Sequence, residues 1–134
     1  MGIRFVFEQK VLFKHCDPAG IVFFPRYFEM INDCVEHFFD EALGWPFEDL
    51  LQTEGVPTAE ISTRFLAPSR HGDRLQLSLT VNRVGRSALG YRIDASCAGD
   101  RRFEADATLV HVDQRGKPTA WPKAIRTKLV EEGS

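Results

Sequence analysis

The 134-residue sequence has no long apolar run. No stretch approaches the roughly 18 consecutive apolar residues that indicate a membrane-spanning helix, and the N-terminal segment lacks the apolar core of a signal peptide. Cysteine is also scarce, because Cys16, Cys34 and Cys97 are odd in number and never at C-x-x-C spacing. Neither a disulfide framework nor a zinc site is therefore expected. We expect a cytoplasmic protein with reduced thiols and no membrane partner.

Positive charge is not in excess either. The 17 Lys and Arg against 19 Asp and Glu give a net charge of −2, which argues against a nucleic-acid partner. The sequence contains no glycine-rich phosphate loop and no pair of histidines at metal-ligand spacing on one helix face. We therefore expect no metal ion. The length is close to one typical domain of about 150 residues, so a single domain over 1–134 is expected.

Hydrophobic periodicity predicts five strands and one long helix. Residues 4–14 alternate, with Phe5, Phe7, Val11 and Phe13 on the buried face. A helical stripe follows over about 25–43, from Pro25 at the start to Gly44 at the end. Further strands are predicted over 57–67, 73–84, 88–98 and 102–113, and a short helix over about 123–131.

The order of these elements predicts the fold class. Strands joined by tight turns favour an antiparallel sheet, and one helix inserted after the first strand is suited to cover one face of it. The sequence therefore predicts an α+β domain.

One segment carries a specific resemblance. The run His15-Cys16-Asp17-Pro18-Ala19-Gly20-Ile21-Val22-Phe23-Phe24-Pro25-Arg26-Tyr27 resembles the active-site motif of the 4-hydroxybenzoyl-CoA thioesterase family. Trp121-Pro122-Lys123-Ala124-Ile125 is similar to a common ending of its members. The resemblance implies a hotdog fold, in which a curved antiparallel sheet of about five strands wraps around one long central helix. It also implies an acyl-CoA thioesterase for an aromatic or short-chain acyl group, which needs no cofactor because coenzyme A is part of the substrate and product.

Asp17 is the candidate catalytic residue. A carboxylate just before a helix start faces free backbone N–H groups, and such groups can also stabilise the oxyanion of an attacked thioester. The resemblance makes Asp17 the nucleophile or general base and assigns the oxyanion to the backbone N–H of Phe24. From the residues alone, Asp17 can instead be a turn-forming residue.

The remaining candidate site residues fall into two groups. Substrate-binding residues implied by the resemblance are His15, Phe23, Tyr27, Ile31 and Asn32. Asn32 replaces a carboxylate of the family's prototype, which argues against 4-hydroxybenzoyl-CoA itself as substrate. The resemblance also places coenzyme A at the turn that contains Arg83, Arg86 and Ser87, and Arg is suited to its phosphates. A His15–Cys16 catalytic pair is rejected because adjacent extended residues point to opposite sides.

Edge strands of a single sheet need partners, and the resemblance implies a homo-oligomer, a dimer of dimers with active sites between subunits.

Two alternative functions remain open. A hotdog hydratase or dehydratase is disfavoured because its usual His-containing loop and helix acid are not matched. A non-catalytic acyl-CoA-binding protein is disfavoured because one domain leaves no room for the DNA-binding segment that such regulators carry.

Overall fold

The computed structural model describes residues 4–133, with side chains as far as Val130. Residues 1–3 and Ser134 of the predicted domain lie outside the described residues. The strands are β1 (Arg4–Lys10), β2 (Thr58–Phe65), β3 (Arg74–Val84), β4 (Ala88–Cys97) and β5 (Asp100–Val110), and the α-helices are α1 (Arg26–His37), α2 (Phe47–Leu50) and α3 (Lys123–Gly133). No helix within 4–133 combines the length and apolarity needed to cross a membrane.

All five strands form one antiparallel sheet in the order β1-β3-β4-β5-β2. Strands β3, β4 and β5 are consecutive and joined by short turns, whereas β1 and β2 are the two edges. The predicted α+β class with a five-stranded antiparallel sheet is confirmed.

The prediction of one long helix over 25–43 is not confirmed. The α-helix ends at His37, and a five-residue π-helix, Phe38–Ala42, continues it. In this wider turn the Leu43 N–H donates to the Phe38 carbonyl, five residues back, at 3.2 Å. The consecutive side chains of Phe38 and Phe39 at the start of this segment are both fully buried. Gly44 then ends the helix in the predicted left-handed conformation, at φ 64°.

The core lies between one face of the sheet and α1. Alternate residues of the three central strands are buried, as their sequence pattern predicts. From the helix side, Met30, Cys34 and Phe38 are fully buried. The buried strand residues are Leu75, Leu77, Leu79, Val81, Leu89, Tyr91, Ile93, Ala95, Phe103, Ala105, Ala107 and Leu109.

One edge prediction is wrong in detail. Strand β1 ends at Lys10, and the short 3-10 helix Phe13–His15 turns the Phe13 ring outward, where it is 82% exposed. On β2, the other edge strand, the apolar residues Ile61 and Phe65 share a face, and both are exposed. Elements at the margin of the sheet therefore leave apolar side chains uncovered by the chain itself.

Phe38→Ala is expected to lower the free energy of unfolding by about 3–5 kcal/mol, because the truncation leaves a cavity in a fully buried site. Phe13→Ala is the matched control, since the same truncation at an exposed position changes stability by less than about 0.5 kcal/mol. Urea denaturation of both variants measures the difference. Equal losses would contradict the assignment of the core.

Candidate active site

The Asp17 turn lies between β1 and α1. The Asp17 Oδ1 accepts a hydrogen bond from the Ala19 N–H at 2.9 Å, and the Asp17 carbonyl accepts one from the Gly20 N–H at 3.0 Å. Gly20 has φ 80°, a conformation that a side chain disfavours. Asp17 is thus a turn-forming residue, as the alternative interpretation had it. Its second oxygen, Oδ2, accepts no hydrogen bond within the described chain and remains available for chemistry.

The backbone N–H of Phe24 is also unengaged. The N–H groups around it have acceptors: that of Val22 donates to the Ser69 carbonyl, that of Phe23 to the His15 carbonyl, and that of Arg26 to the Phe23 carbonyl, all within 2.9 Å. No acceptor for the Phe24 N–H lies within residues 4–133. A donor left free immediately before the first turn of α1 is suited to hold an anionic oxygen.

Ser69 fastens this turn and the start of α1 to the rest of the chain. Besides the bond from Val22 to its carbonyl, its Oγ accepts a hydrogen bond from the Tyr27 hydroxyl at 2.9 Å. Both side chains are buried, and burial raises the pKa of Tyr27. A second backbone hydrogen bond, from the His71 N–H to the Gly20 carbonyl at 3.1 Å, also joins the Asp17 turn to the segment that contains Ser69.

Arg102 on β5 holds the segment that contains Ser69. It donates to Asp73 Oδ2 at 2.6 Å and to the Pro68 carbonyl at 3.2 Å. The same Asp73 oxygen accepts the Arg70 N–H at 2.9 Å. Sequence reasoning missed both Ser69 and Arg102 as residues that position the site, because no local pattern links residues so far apart in the chain.

An open apolar pocket of about 310 Å³ adjoins the turn. The Phe65 ring lies 5.7 Å from that of Phe24 and 5.8 Å from that of Tyr27, centroid to centroid. The Phe24 ring is 55% exposed and that of Phe65 48%. The lining residues are Val22, Phe24, Tyr27, Phe65, Leu66, Ala67 and Pro68. Val22 belongs to the same loop as Asp17 and lines the pocket, whereas Asp17 itself does not. The carboxylate and the pocket are therefore neighbours, but they do not form one closed cavity in a single chain.

The other predicted substrate residues differ in exposure. His15 is 3% exposed, and its Nδ1 accepts the Leu12 N–H at 2.9 Å. Burial, aided by Lys14, lowers the pKa of His15, so its imidazole is neutral near pH 7. Ile31 lies in the core, whereas Phe23 and Asn32 are exposed. Their roles in substrate binding stay predictions.

The predicted coenzyme A residues lie at the other end of the sheet. The Asp17 turn is bonded to Ser69 and His71, just before β3 begins, whereas Arg83 is near the end of β3 and Arg86 and Ser87 form the turn into β4. The nine residue steps from Arg74 to Arg83 correspond to about 30 Å of strand. The two halves of the predicted site are therefore far apart within one chain.

In the part of the chain that the structure describes, no three His, Cys, Asp or Glu residues are grouped so that they could hold a metal ion.

Comparisons with known proteins identify the family and the fold. A model of the thioesterase-like superfamily matches residues 11–129. The chain belongs to this superfamily. The match includes the Asp17 turn, α1 and all strands except β1, and it confirms the predicted family and the thioester hydrolase class.

Two curated relatives are similar in sequence to most of the chain. The chain is 27% identical over 129 residues to a 1,4-dihydroxy-2-naphthoyl-CoA hydrolase of Synechocystis, with 90% of this chain and 94% of the relative covered. It is 23% identical over 99 residues to a 4-hydroxybenzoyl-CoA thioesterase of Pseudomonas, with 72% and 70% covered.

Solved structures share the fold. The crystal structure of a 1,4-dihydroxy-2-naphthoyl-CoA thioesterase from Synechocystis superposes with a TM-score of 0.87 at 21% identity, covering 96% of both chains. A Staphylococcus aureus protein solved in complex with CoA superposes with a TM-score of 0.86 at 18% identity, covering 98% of this chain and 85% of that one.

Asp73→Asn is expected to destabilise the segment that holds the Asp17 turn in a pH-dependent way. Hydrogen bonds from the Arg70 N–H and from Arg102 lower the pKa of Asp73. A carboxyl whose pKa is lowered by folding stabilises the protein above its unfolded pKa, near 4, and loses this contribution as the pH falls through the folded pKa. The variant should lose about 2 kcal/mol at pH 7, and its deficit should shrink below about pH 4. Urea titrations at pH 7 and pH 3 measure this, and a constant deficit would contradict it.

Proposed function

We propose that this superfamily member hydrolyses an acyl-CoA thioester to a free acid and coenzyme A at the Asp17 turn. The observation that carries the proposal is the pairing of two unengaged groups in one short segment, Oδ2 of Asp17 and the N–H of Phe24. The names of both curated relatives are in accord, because each acts on a CoA thioester.

Two routes use the same groups. In one, the Asp17 carboxylate attacks the thioester carbonyl, the C–S bond breaks, and water then hydrolyses the mixed anhydride. In the other, the carboxylate takes a proton from a water that attacks the carbonyl directly. In both, the negative charge that develops on the carbonyl oxygen is stabilised by the Phe24 N–H. In both routes the attacking water releases a proton and the departing CoA thiolate takes one up, so water is the only co-reactant that the hydrolysis consumes.

The pocket beside Phe24 suits an apolar acyl group. Its aromatic walls, Phe24, Tyr27 and Phe65, favour a flat ring through stacking and edge contacts. Its volume of about 310 Å³ accommodates a single or fused aromatic ring. We infer an aromatic acyl-CoA as the preferred substrate, with short apolar acyl groups as the alternative.

The functional unit in this proposal is a homo-oligomer. Strand β2 is a sheet edge whose apolar residues, Ile61 and Phe65, are exposed next to the pocket. Such an edge is a template for pairing with a second copy. Antiparallel pairing of β2 with its own copy around a two-fold axis covers these side chains and closes the pocket. A dimer of dimers is the proposed full assembly.

Pairing through β2 also accounts for the separation of the two halves of the site. From the sulfur of coenzyme A to its first phosphorus there are roughly 13 bonds, which extend to about 16 Å. That reach is shorter than the about 30 Å of strand between the two ends of β3. In an antiparallel β2 pair, the Arg86 end of one chain lies on the same side as the Asp17 end of the other. We infer that each active site combines Asp17 of one chain with the nucleotide-binding turn of its partner.

Asp17→Asn is expected to reduce kcat by at least about 10²-fold while leaving substrate affinity within a few-fold. An amide oxygen still accepts the Ala19 N–H, so the turn is retained while the nucleophile or base is lost. Release of free thiol from a panel of acyl-CoAs measures turnover.

The control for this experiment is Asp40→Asn, the same change at an exposed position near the far end of the helix, which should retain full activity. Near-normal hydrolysis by the Asp17 variant would remove Asp17 from the mechanism. Hydration of an acyl double bond, or binding without turnover, would replace the thioesterase by a hydratase or a binding protein.

Ile61→Arg is expected to convert the oligomer to monomers and to abolish thioester hydrolysis, because it places charge at the proposed interface. Val6→Arg is the matched control, since Val6 is a half-exposed apolar residue on β1, the other edge strand. Light scattering at micromolar concentration gives the oligomeric state. A monomeric unmodified protein, or dissociation by the Val6 substitution alone, would overturn the proposed interface.

A further inference from the structure

The edge strand β2 carries a buried hydroxyl group that has no partner. Thr63 Oγ1 is closed off from solvent and forms no hydrogen bond, and among the described side chains it is the one buried nitrogen or oxygen of this kind. Across from it on β5 lies Ala105, which has no polar side chain. A buried polar group without a hydrogen bond costs free energy. Because β2 is a sheet edge, the missing partner can come from a second chain.

The backbone of β2 shows which of its groups are free for pairing. The Leu66 N–H donates to the Arg102 carbonyl at 2.8 Å, so these two residues form a hydrogen-bonded pair of the β2–β5 ladder. Such pairs alternate along an antiparallel ladder with pairs that exchange no hydrogen bonds. The alternation therefore directs the N–H and C=O groups of Ile61, Thr63 and Phe65 away from β5, toward the free edge. A β-bulge before Ile61 confines this regular pattern to the second half of β2.

The free groups distinguish the registers in which two copies of β2 can pair around a two-fold axis. With Thr63 opposite its own copy, each Ile61 lies opposite the partner's Phe65, and these three pairs exchange six backbone hydrogen bonds. With Ser62 or Arg64 on the axis only four such bonds form, and with Ile61 or Phe65 on the axis only two. Arg64 on the axis would also place two like charges opposite each other, which is destabilising. Backbone pairing therefore favours Thr63 on the axis.

The side chains favour the same register. Rotation about the Cα–Cβ bond of threonine exchanges hydroxyl and methyl group, so two Thr63 hydroxyls that face each other across the axis can form the hydrogen bond that one chain lacks. On either side of this pair, Ile61 of one chain faces the partner's Phe65. Both side chains are exposed in a single chain. Threonine pairs and pairs of an aromatic with a β-branched residue are among the cross-strand contacts that stabilise sheets.

We propose that Thr63 lies on the two-fold axis of the β2 pair and that the partner's Ile61 forms a wall of the acyl pocket beside Phe24. This inference rests on the proposed function and names a residue that determines which acyl groups fit. Phe65 lines the pocket, whereas Ile61 of the same chain does not, since four residues correspond to about 14 Å of strand. The partner's Ile61 lies directly opposite Phe65, with Cα atoms about 5.5 Å apart.

Cysteine cross-linking tests the register without reference to turnover. A disulfide requires Cα atoms within about 7 Å of each other. Thr63→Cys meets its copy at about 5.5 Å, so mild oxidation should give a covalent dimer in non-reducing electrophoresis, and a reductant should reverse it. Ser62→Cys and Arg64→Cys are the matched controls, because each lies about 8 Å from its own copy and should not cross-link. The unmodified protein, with its three free cysteines, gives the background.

The double variant Ile61→Cys, Phe65→Cys keeps the test valid if the buried Thr63→Cys thiol resists oxidation. In the proposed register each of its two cysteines lies opposite the other one in the partner, so the double variant should cross-link and neither single variant should. A cross-link through Ser62→Cys or Arg64→Cys would overturn the register. Absence of a cross-link in both Thr63→Cys and the double variant would overturn it as well.

Ile61→Ala tests the wall of the pocket. The smaller side chain leaves more room for the acyl group, so kcat/KM for 2-naphthoyl-CoA relative to that for benzoyl-CoA should rise about 5- to 10-fold. Val6→Ala is the control, because it truncates an exposed apolar residue on the other edge strand. The ratio should not change in the control, and an unchanged ratio in Ile61→Ala would remove Ile61 from the pocket.

Mixed dimers show which chain supplies the wall. When an Asp17→Asn chain is paired with an Ile61→Ala chain, the one site that retains Asp17 faces the unmodified Ile61 of its partner. Mixed dimers, isolated through two different affinity tags, should therefore show the substrate ratio of the unmodified protein. The ratio of the Ile61→Ala homodimer would instead mean that Ile61 acts within its own chain, which would overturn the proposal.

The outcomes separate this inference from the proposed function. If the unmodified protein hydrolyses no thioester but Thr63→Cys cross-links as expected, the register stands and the proposed function fails. Calorimetric titration with the same two acyl-CoAs then gives the comparison of Ile61→Ala and the mixed dimers for binding. Thioester hydrolysis without the expected cross-links leaves the proposed function and overturns this inference.

Discussion

The contact between Ser69 and the Asp17 turn is the constraint on which the candidate site depends. The Ser69 carbonyl accepts the Val22 N–H, and its hydroxyl accepts the hydroxyl proton of Tyr27. One buried serine therefore fixes both the loop that carries the carboxylate and the first turn of α1. Arg102 holds the Ser69 segment from β5 through its ion pair with Asp73. Because buried polar groups are costly when unpaired, this network specifies one geometry for the turn.

The length of the sheet separates the proposed catalytic residues from the turn that is proposed to bind the nucleotide. Within the described residues, the Asp17 end of the sheet carries a carboxylate oxygen and an N–H without hydrogen-bond partners beside an apolar pocket, whereas its other end carries the turn that contains Arg86. A strand of 11 residues lies between them. In the proposed enzyme, the arm of coenzyme A from its sulfur to its first phosphorus is too short to span one chain, and a second chain turned end for end brings the two ends together. The exposed apolar edge at β2 favours this pairing, since it leaves Ile61 and Phe65 without cover in one chain.

Most strands and the end of the helix could be predicted from the sequence because the patterns that predict them are local. Alternation in β3, β4 and β5 and the stop at Gly44 depend on neighbouring residues only, and the structure confirms them. The wrong predictions arose where burial depends on distant elements. Phe13 continues the alternation of β1 but lies beyond its last paired residue, and the helix that begins at Arg26 changes to a π-helix at Phe38.

The sequence by itself determined the α+β class, the family and the position of Asp17 and Phe24 in one turn, because the motif lies within a dozen contiguous residues. Only the tertiary structure decided how that turn is held, since Ser69 and Arg102 come from remote parts of the chain. It also decided that the Arg86 turn lies at the far end of β3. Sequence distance carries no information about such contacts, because strand pairing and helix docking bring together residues that no local pattern connects.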